Sequence, residues 1–230
     1  MEDIPPKPAW KRAVRNVVPG SWLRHRQIIV GLGRPAGAIY ARLRLLDALG
    51  LRPHSGPLRP DMRTVVFVCY GNIMRSPMAE ALFRREAQIA KLDPMQITSA
   101  GVHAIPGRGA HPWALAAAAE MGLPLTEHRA RLLTPEMVAA ADAVFAMDFQ
   151  NLAELLARYP QAREKFRALG HYAGKRAPTR EIADPYLGNL DTTRACYTML
   201  QTCIRGLARE LITLRVSPGR GIASSETPVG

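Results

Sequence analysis

Cysteine is scarce in this chain: 230 residues hold three, at positions 69, 196 and 203. Three thiols build no disulfide framework, which excludes a small cross-linked secreted scaffold. Long apolar runs are missing as well, and none reaches the length that a bilayer-spanning helix needs. Pro5, Pro6, Lys7 and Pro8 break up the stretch in which a secretory leader would carry its apolar core, so a cytoplasmic protein is expected. His, Cys, Asp and Glu are nowhere grouped at metal-ligand spacing, and no metal or other cofactor is expected. Aromatic residues make up only 6%. With no recognisable nucleic-acid motif beside them, specific nucleic-acid binding is not expected.

The basic excess is large and unevenly placed. Net charge is +12; residues 1–60 hold 11 Lys and Arg against 3 Asp and Glu, and the rest of the chain holds 20 against 16. The excess therefore characterises the first quarter of the chain more than the remainder. Residues 1–61 read as a basic N-terminal extension and linker. It contains one helix-like stretch at 36–49, where Ile39, Leu43 and Leu46 share a face, a closing Gly50, and a Pro-rich connection at 53–60. This arm is a solvated basic face without a specific function, meets an anionic partner or membrane surface through residues 1–50, or packs through its helix on the rest of the protein. Met62 offers an alternative translation start just before the next element. Gly31-Leu32-Gly33 has no strand–turn–helix frame around it and is not a dinucleotide loop.

From Met62 onward, strands and helices alternate. Strands are expected at 64–69, 96–100, 143–147 and 168–172, with helices at 76–90, 112–121, 151–158, 161–166 and 190–215. Such alternation predicts an α/β fold, a doubly wound four-stranded parallel sheet with helices on both faces, spanning residues 62–216. The small polar residues 217–230 read as a disordered tail.

The most informative segment runs from Val65 to Pro77, VVFVCYGNIMRSP. A β-branched apolar run delivers Cys69 to a strand end, a Gly-containing loop follows, and Arg75-Ser76 opens a helix with Pro77 in its first turn and Ser76 as its cap. Loop amides turned inward, together with a helix N-terminus, would form an anion nest around the thiol. That order predicts a phosphate-binding nucleophile site, with the phosphate loop after strand one. A phosphate-ester leaving oxygen needs a proton donor, and Asp184 of Asp184-Pro185-Tyr186 is the candidate. It follows strand four, where a parallel sheet returns its loops to the same edge.

Residues 64–215 resemble the low-molecular-weight protein tyrosine phosphatase family. The resemblance is carried by Cys69 to Ser76, Ser99-Ala100-Gly101, His128-Arg129-Ala130-Arg131, Ala146-Met147-Asp148 and Asp184-Pro185-Tyr186. The 99–112 stretch and Gly170-His171-Tyr172 are most similar to the bacterial branch serving capsule and exopolysaccharide systems. The resemblance implies a phosphocysteine intermediate, with Cys69 as nucleophile, Arg75 gripping the phosphoryl oxygens and Asp184 as acid and base. Tyr70, Gly71, Asn72, Ile73 and Met74 would bind substrate with Ser76 and Tyr186, while Ser99 and His128 support the loop. It also implies a phosphotyrosine protein as partner, a bacterial tyrosine kinase of polysaccharide export being one candidate, and a monomer or weak dimer.

There are departures from the family pattern. Met74 stands where many members place a second loop cysteine, and Ala104-Ile105 where some place an aromatic ring. Trp113 is expected to pack within its helix. The rival on the same fold is a thiol-dependent arsenate reductase, for which Cys196 and Cys203, seven residues apart, would form the relay. The reading of another class is a catalytic domain whose basic arm mainly docks to an anionic surface or partner.

Overall fold

The computed structural model describes residues 20–54, 56–92, 94–174 and 180–216. The expected tail at 217–230 and the first 19 residues of the basic extension lie outside them.

Four parallel strands form one sheet in the order β2-β1-β3-β4. They are β1 (Thr64–Cys69), β2 (Gln96–Gly101), β3 (Ala143–Ala146) and β4 (Phe166–Ala168). β1 is central, pairing with β2 from Thr64↔Gln96 to Cys69↔Gly101 and with β3 from Val65↔Ala143 to Val68↔Ala146. The expected doubly wound α/β sheet is present. β1 is apolar on both faces because helices cover both, as a parallel sheet requires. Val65, Phe67 and Cys69 face one core with Phe145 and Met147; Val66 and Val68 face the other with Val144 and Ala146.

The first face is covered by α3 (Arg75–Ile89), α4 (Pro112–Glu120) and α7 (Leu190–Val216). Phe67 stacks on Phe145 at 5.4 Å and meets the edge of Phe83 at 5.6 Å. The second face takes α5 (Pro135–Ala140) and α6 (Phe149–Arg158), and over α6 lies α2 (Ala36–Ala48) with α1 (Gly20–Leu32) beside it. Tyr40 and Leu43 of α2 are buried with Phe149 and Leu152, so this part of the basic extension packs on the sheet domain. Gly50, at φ +77°, follows α2 as expected. The segment read as a linker is also partly interior, since Leu58 joins the first core. Gly31 and Leu32 end α1, in keeping with their rejection as a nucleotide loop.

Two strand and helix expectations need correction. The fourth strand is Phe166–Ala168, while Leu169–Ala173 forms a 3-10 helix. A Cβ on Gly170 would lie 1.9 Å from the Arg180 carbonyl oxygen, so this segment turns against the chain ahead of Asp184 instead of continuing along β3. Residues 160–165 are likewise 3-10. Among the described residues no helix is long and apolar enough to cross a membrane.

Candidate active site

The loop between β1 and α3 is shaped from outside. Carbonyl oxygens of Cys69, Tyr70 and Ile73 accept from the amides of Val102, His103 and His111 at 3.0, 2.9 and 2.9 Å. The Asn72 carbonyl accepts from His128 Nε2 at 2.6 Å and that of Met74 from the Tyr197 hydroxyl at 3.1 Å. A trans peptide points its N–H opposite its C=O. With five carbonyls held outward, the amides of residues 70, 71, 73, 74 and 75 turn toward the loop's hollow, and the amide of Asn72 already donates to Cys69 Sγ at 3.2 Å. The hollow is an anion nest at the N-terminus of α3.

Asn72 locks this shape. It is fully buried at φ +53°, a left-handed conformation that Asn tolerates. Its Nδ2 donates to Ser76 Oγ and Ser99 Oγ, both at 2.9 Å, and its Oδ1 accepts from the Arg131 amide at 2.8 Å. Ser99 and His128 therefore stand where loop support was expected. Burial lowers the proton affinity of His128, which suits a neutral ring donating to a carbonyl. Gly101 is required by close approach: a Cβ there would meet the Tyr70 carbonyl oxygen at 2.6 Å and the Asn72 nitrogen at 2.8 Å.

Ser76 is not the helix cap that its position suggested. The helix begins one residue earlier, after Met74, and no side chain caps it. The Ser76 hydroxyl is instead committed to the thiol, 3.0 Å from Cys69 Sγ, and to the Ala100 carbonyl at 3.2 Å. Pro77 does occupy the first turn of α3.

Arg75 is 2% exposed, a guanidinium fixed from two sides. Its Nη1 donates to Asp148 Oδ2 at 2.5 Å and to the Ile182 carbonyl at 3.0 Å, and its Nη2 pairs with Asp184 Oδ2. Burial alone would weaken its hold on the proton, but the two carboxylates outweigh it and raise the Arg75 pKa. Asp184 is brought to the thiol's side of the sheet as expected, and its Oδ1 accepts from the Tyr186 amide at 3.1 Å.

Cys69, Tyr70, Gly71, Ile73, Met74, Arg75, Asp184 and Tyr186 line one cavity of about 350 Å³, together with His103, Ile105 and Arg108. Tyr70 and Tyr186 stand half-exposed on its rim. Tyr70 lies on His103 at 4.6 Å between ring centres, and Tyr186 meets His111 edge-on at 5.7 Å. His103 in turn contacts the buried Glu154, Nε2 to Oε2, at 2.5 Å. Trp113, expected to pack within its helix, remains 40% exposed. Met74 is buried and belongs to the lining.

Sequence reasoning missed Asp148, His103, Arg108 and Tyr197 as parts of the site. Asp148 carried a signal, an acid at the carboxyl end of a strand. Tyr197 carried none, because its hydroxyl reaches Met74 across 123 positions of sequence. Cys196 and Cys203 lie on the buried face of α7, and burial pushes both thiols up to about 12. An arsenate reductase relay needs accessible thiolates, so neither cysteine supports that reading. No group of His, Cys, Asp or Glu among the described residues could hold a metal ion.

This geometry has counterparts in known proteins. The family model described as low molecular weight phosphotyrosine protein phosphatase matches residues 64–215. The low molecular weight protein-tyrosine-phosphatase Wzb of Escherichia coli K12 is 35% identical over 147 residues, which are 64% of this chain and 94% of Wzb. The protein-arginine-phosphatase of Bacillus subtilis is also 35% identical over 147 residues, 64% of this chain and 95% of that protein. The crystal structure of Wzb from Escherichia coli K30 with sulphate superposes with a TM-score of 0.59 at 30% identity, over 65% of this chain and 99% of that one. A matched span that holds both sheet and phosphate loop leads to one conclusion: the chain is a phosphatase and belongs to the low molecular weight phosphotyrosine protein phosphatase family.

Proposed function

We propose that this phosphatase hydrolyses phosphotyrosine in proteins through a phosphocysteine. The observation that carries the reading is the convergence of the loop amides and the Arg75 guanidinium on one thiol, Cys69. The Cys69 thiolate attacks phosphorus while the amides of the loop and the planar fork of Arg75 hold the nonbridging oxygens, a bidentate grip that lysine does not reproduce. As the P–O bond breaks, the leaving phenolic oxygen takes the proton of the Asp184 carboxyl group. The resulting carboxylate then deprotonates a water, the new P–O bond forms, the P–S bond breaks, and phosphate and thiolate are released. Ser76 stabilises the thiolate through its hydroxyl, and Asn72, Ser99 and His128 keep the loop in shape.

Relatives in the family include both a tyrosine and an arginine phosphatase, and the cavity walls favour the first. Ile73, Ile105, Tyr70 and Tyr186 make apolar and aromatic walls suited to a phenyl ring. A phosphorylated guanidino group would enter beside Arg108 with Asp184 as the one carboxylate among the described residues that line the cavity. A tyrosine kinase of polysaccharide export is the candidate substrate that the sequence resemblance supplies.

The test is hydrolysis of p-nitrophenyl phosphate, phosphotyrosine peptide and phosphoarginine by wild type, Cys69→Ser and Asp184→Asn without added metal. Turnover of the first two that Cys69→Ser abolishes and Asp184→Asn cuts strongly is the expected result. Preference for phosphoarginine would overturn the substrate assignment, and undiminished turnover by Asp184→Asn would overturn the acid–base role.

A further inference from the structure

The loop that carries Asp184 is fastened by a helix outside the part of the chain that the family shares. α2 precedes residue 64, where the family match begins. Its apolar edge is buried through Tyr40 and Leu43. Along its polar edge, Arg44 and Asp47 lie one turn apart and meet two consecutive residues of the loop with opposite charge order. Arg44 pairs with Glu181, and Arg180 Nη1 pairs with Asp47 Oδ1 at 3.0 Å while also donating to the Leu51 carbonyl at 2.8 Å. A shift of the loop by one residue would set like charges against each other, so the crossed pairs fix its register as well as its position.

Both ends of this contact are braced. Arg44 Nη2 lies 3.1 Å from His25 Nε2 of α1, and His25 Nδ1 is 2.7 Å from the Tyr40 hydroxyl. Glu181 turns its other oxygen to the Phe149 amide at 3.0 Å, in the first turn of α6. That turn begins at Asp148, the carboxylate that holds Arg75. Beyond the clamp the loop is short: Ile182 is fully buried, donates its amide to the Met147 carbonyl at 2.8 Å and offers its own carbonyl to Arg75, and Asp184 follows two residues later. Asp184 itself is the loosely held member, its side chain 43% exposed. Its reach to a leaving oxygen thus depends on how firmly residues 180–182 are held, and α2 does much of the holding.

We propose that Arg44 and Asp47 are positioning residues for the acid–base step, making the N-terminal helix an integral part of the catalytic apparatus of this chain. The proposal rests on Asp184 being the acid, and a displacement of that carboxyl group by about 1 Å is enough to lower a rate many-fold. The effect is selective. An aryl phosphate with a poor leaving group, such as phenyl phosphate, needs the proton, whereas dinitrophenyl phosphate expels a stable phenolate with little help.

The experiment compares kcat/KM for these two substrates in wild type, Arg44→Ala, Asp47→Ala, Arg44→Lys and the surface control Arg42→Ala, with melting temperatures to establish folding. Arg44→Ala and Asp47→Ala are expected to lose about 10-fold on phenyl phosphate and less than about twofold on dinitrophenyl phosphate. Arg44→Lys restores part of the loss, and Arg42→Ala leaves both values unchanged. Equal losses on both substrates, or none, in folded variants would overturn the proposal. Amide hydrogen exchange over residues 181–188 provides a readout independent of chemistry and is expected to quicken in Arg44→Ala; unchanged exchange would also overturn it. If Asp184→Asn fails to separate the two substrates while Arg44→Ala still loosens the loop, the acid assignment falls and the clamp stands.

Discussion

Asn72→Ala isolates what holds the phosphate loop in shape. The substitution removes three side-chain hydrogen bonds, to Ser76, Ser99 and the Arg131 amide. Their losses are unequal. Ser76 keeps the Ala100 carbonyl and the thiol as partners, and the Arg131 amide belongs to an exposed residue that water can reach. Ser99 is fully buried, so its hydroxyl bears the largest cost, about 1–2 kcal/mol, with about 0.5–1 kcal/mol for each of the others. Alanine at φ +53° adds a strain of about 1 kcal/mol that Asn largely avoids. The total is about 3–5 kcal/mol, a large part of the stability of an ordinary domain, and lowers the melting temperature on the order of 10 °C. Asn72→Gly loses the same bonds but relieves the strain, so urea denaturation should place it above Asn72→Ala by a few tenths to about 1 kcal/mol. KM for p-nitrophenyl phosphate should rise in both, because amides no longer held inward bind the phosphoryl group less well. If Asn72→Ala costs under about 1 kcal/mol, or falls on the stable side of Asn72→Gly, the network is not what holds the loop and the reasoning fails.

Two further outcomes follow from the same geometry. Gly101→Ala drives a methyl group into the backbone of Tyr70 and Asn72 and is expected to raise KM for p-nitrophenyl phosphate about 10-fold with a stability loss of about 1–3 kcal/mol; unchanged inhibition by inorganic phosphate would count against it. His171 is buried with neither ring nitrogen hydrogen-bonded, and burial lowers it from 6.5 to about 4. The unfolded chain therefore binds a proton that the folded one refuses, so stability is full above 6.5 and drops as pH falls toward 4, by on the order of 2 kcal/mol. Denaturation midpoints followed across that window should flatten in His171→Phe, and parallel curves for the two proteins would refute the assignment.

What could be read from the sequence was local. β1, the loop and α3 fall within one residue of expectation, because β-branched residues, a Gly-Asn turn and Pro77 each act on their own neighbourhood. The fourth strand was displaced because residues 168–172 are apolar enough for a strand, and only the close approach of Gly170 to the Arg180 carbonyl makes them turn. Helix α5 escaped attention although Thr134-Pro135 is a start signal, with Thr134 Oγ1 accepting from the Met137 amide at 3.3 Å. Asp148 shows a different limit. Its Oδ1 caps α6 by accepting from the Asn151 amide at 2.7 Å, and this local role is visible in the sequence, while Oδ2 serves Arg75 across 73 positions and is not. The basic charge of the first quarter suggested an external partner, yet Arg44 finds its partner at Glu181 of the same chain.

The pairing of Arg75 explains why two carboxylates attend one guanidinium. A buried arginine needs its charge balanced, and Asp148 and Asp184 do so together. An arriving phosphoryl group brings negative charge of its own, so one carboxylate must yield. Asp148 is fixed as the cap of α6 and only 18% exposed, whereas Asp184 is 43% exposed on a loop. In the proposed mechanism it is therefore Asp184 that the phosphoryl group replaces on Arg75, with Asp148 left in place. In the proposed mechanism a carboxyl group released from Arg75 at the mouth of the cavity stands beside the outward-facing leaving oxygen. On that reading the replacement of Asp184 by the phosphoryl group both seats the substrate and frees the proposed acid for the leaving oxygen, and it depends on residues 180–182 keeping that carboxyl group from drifting into solvent.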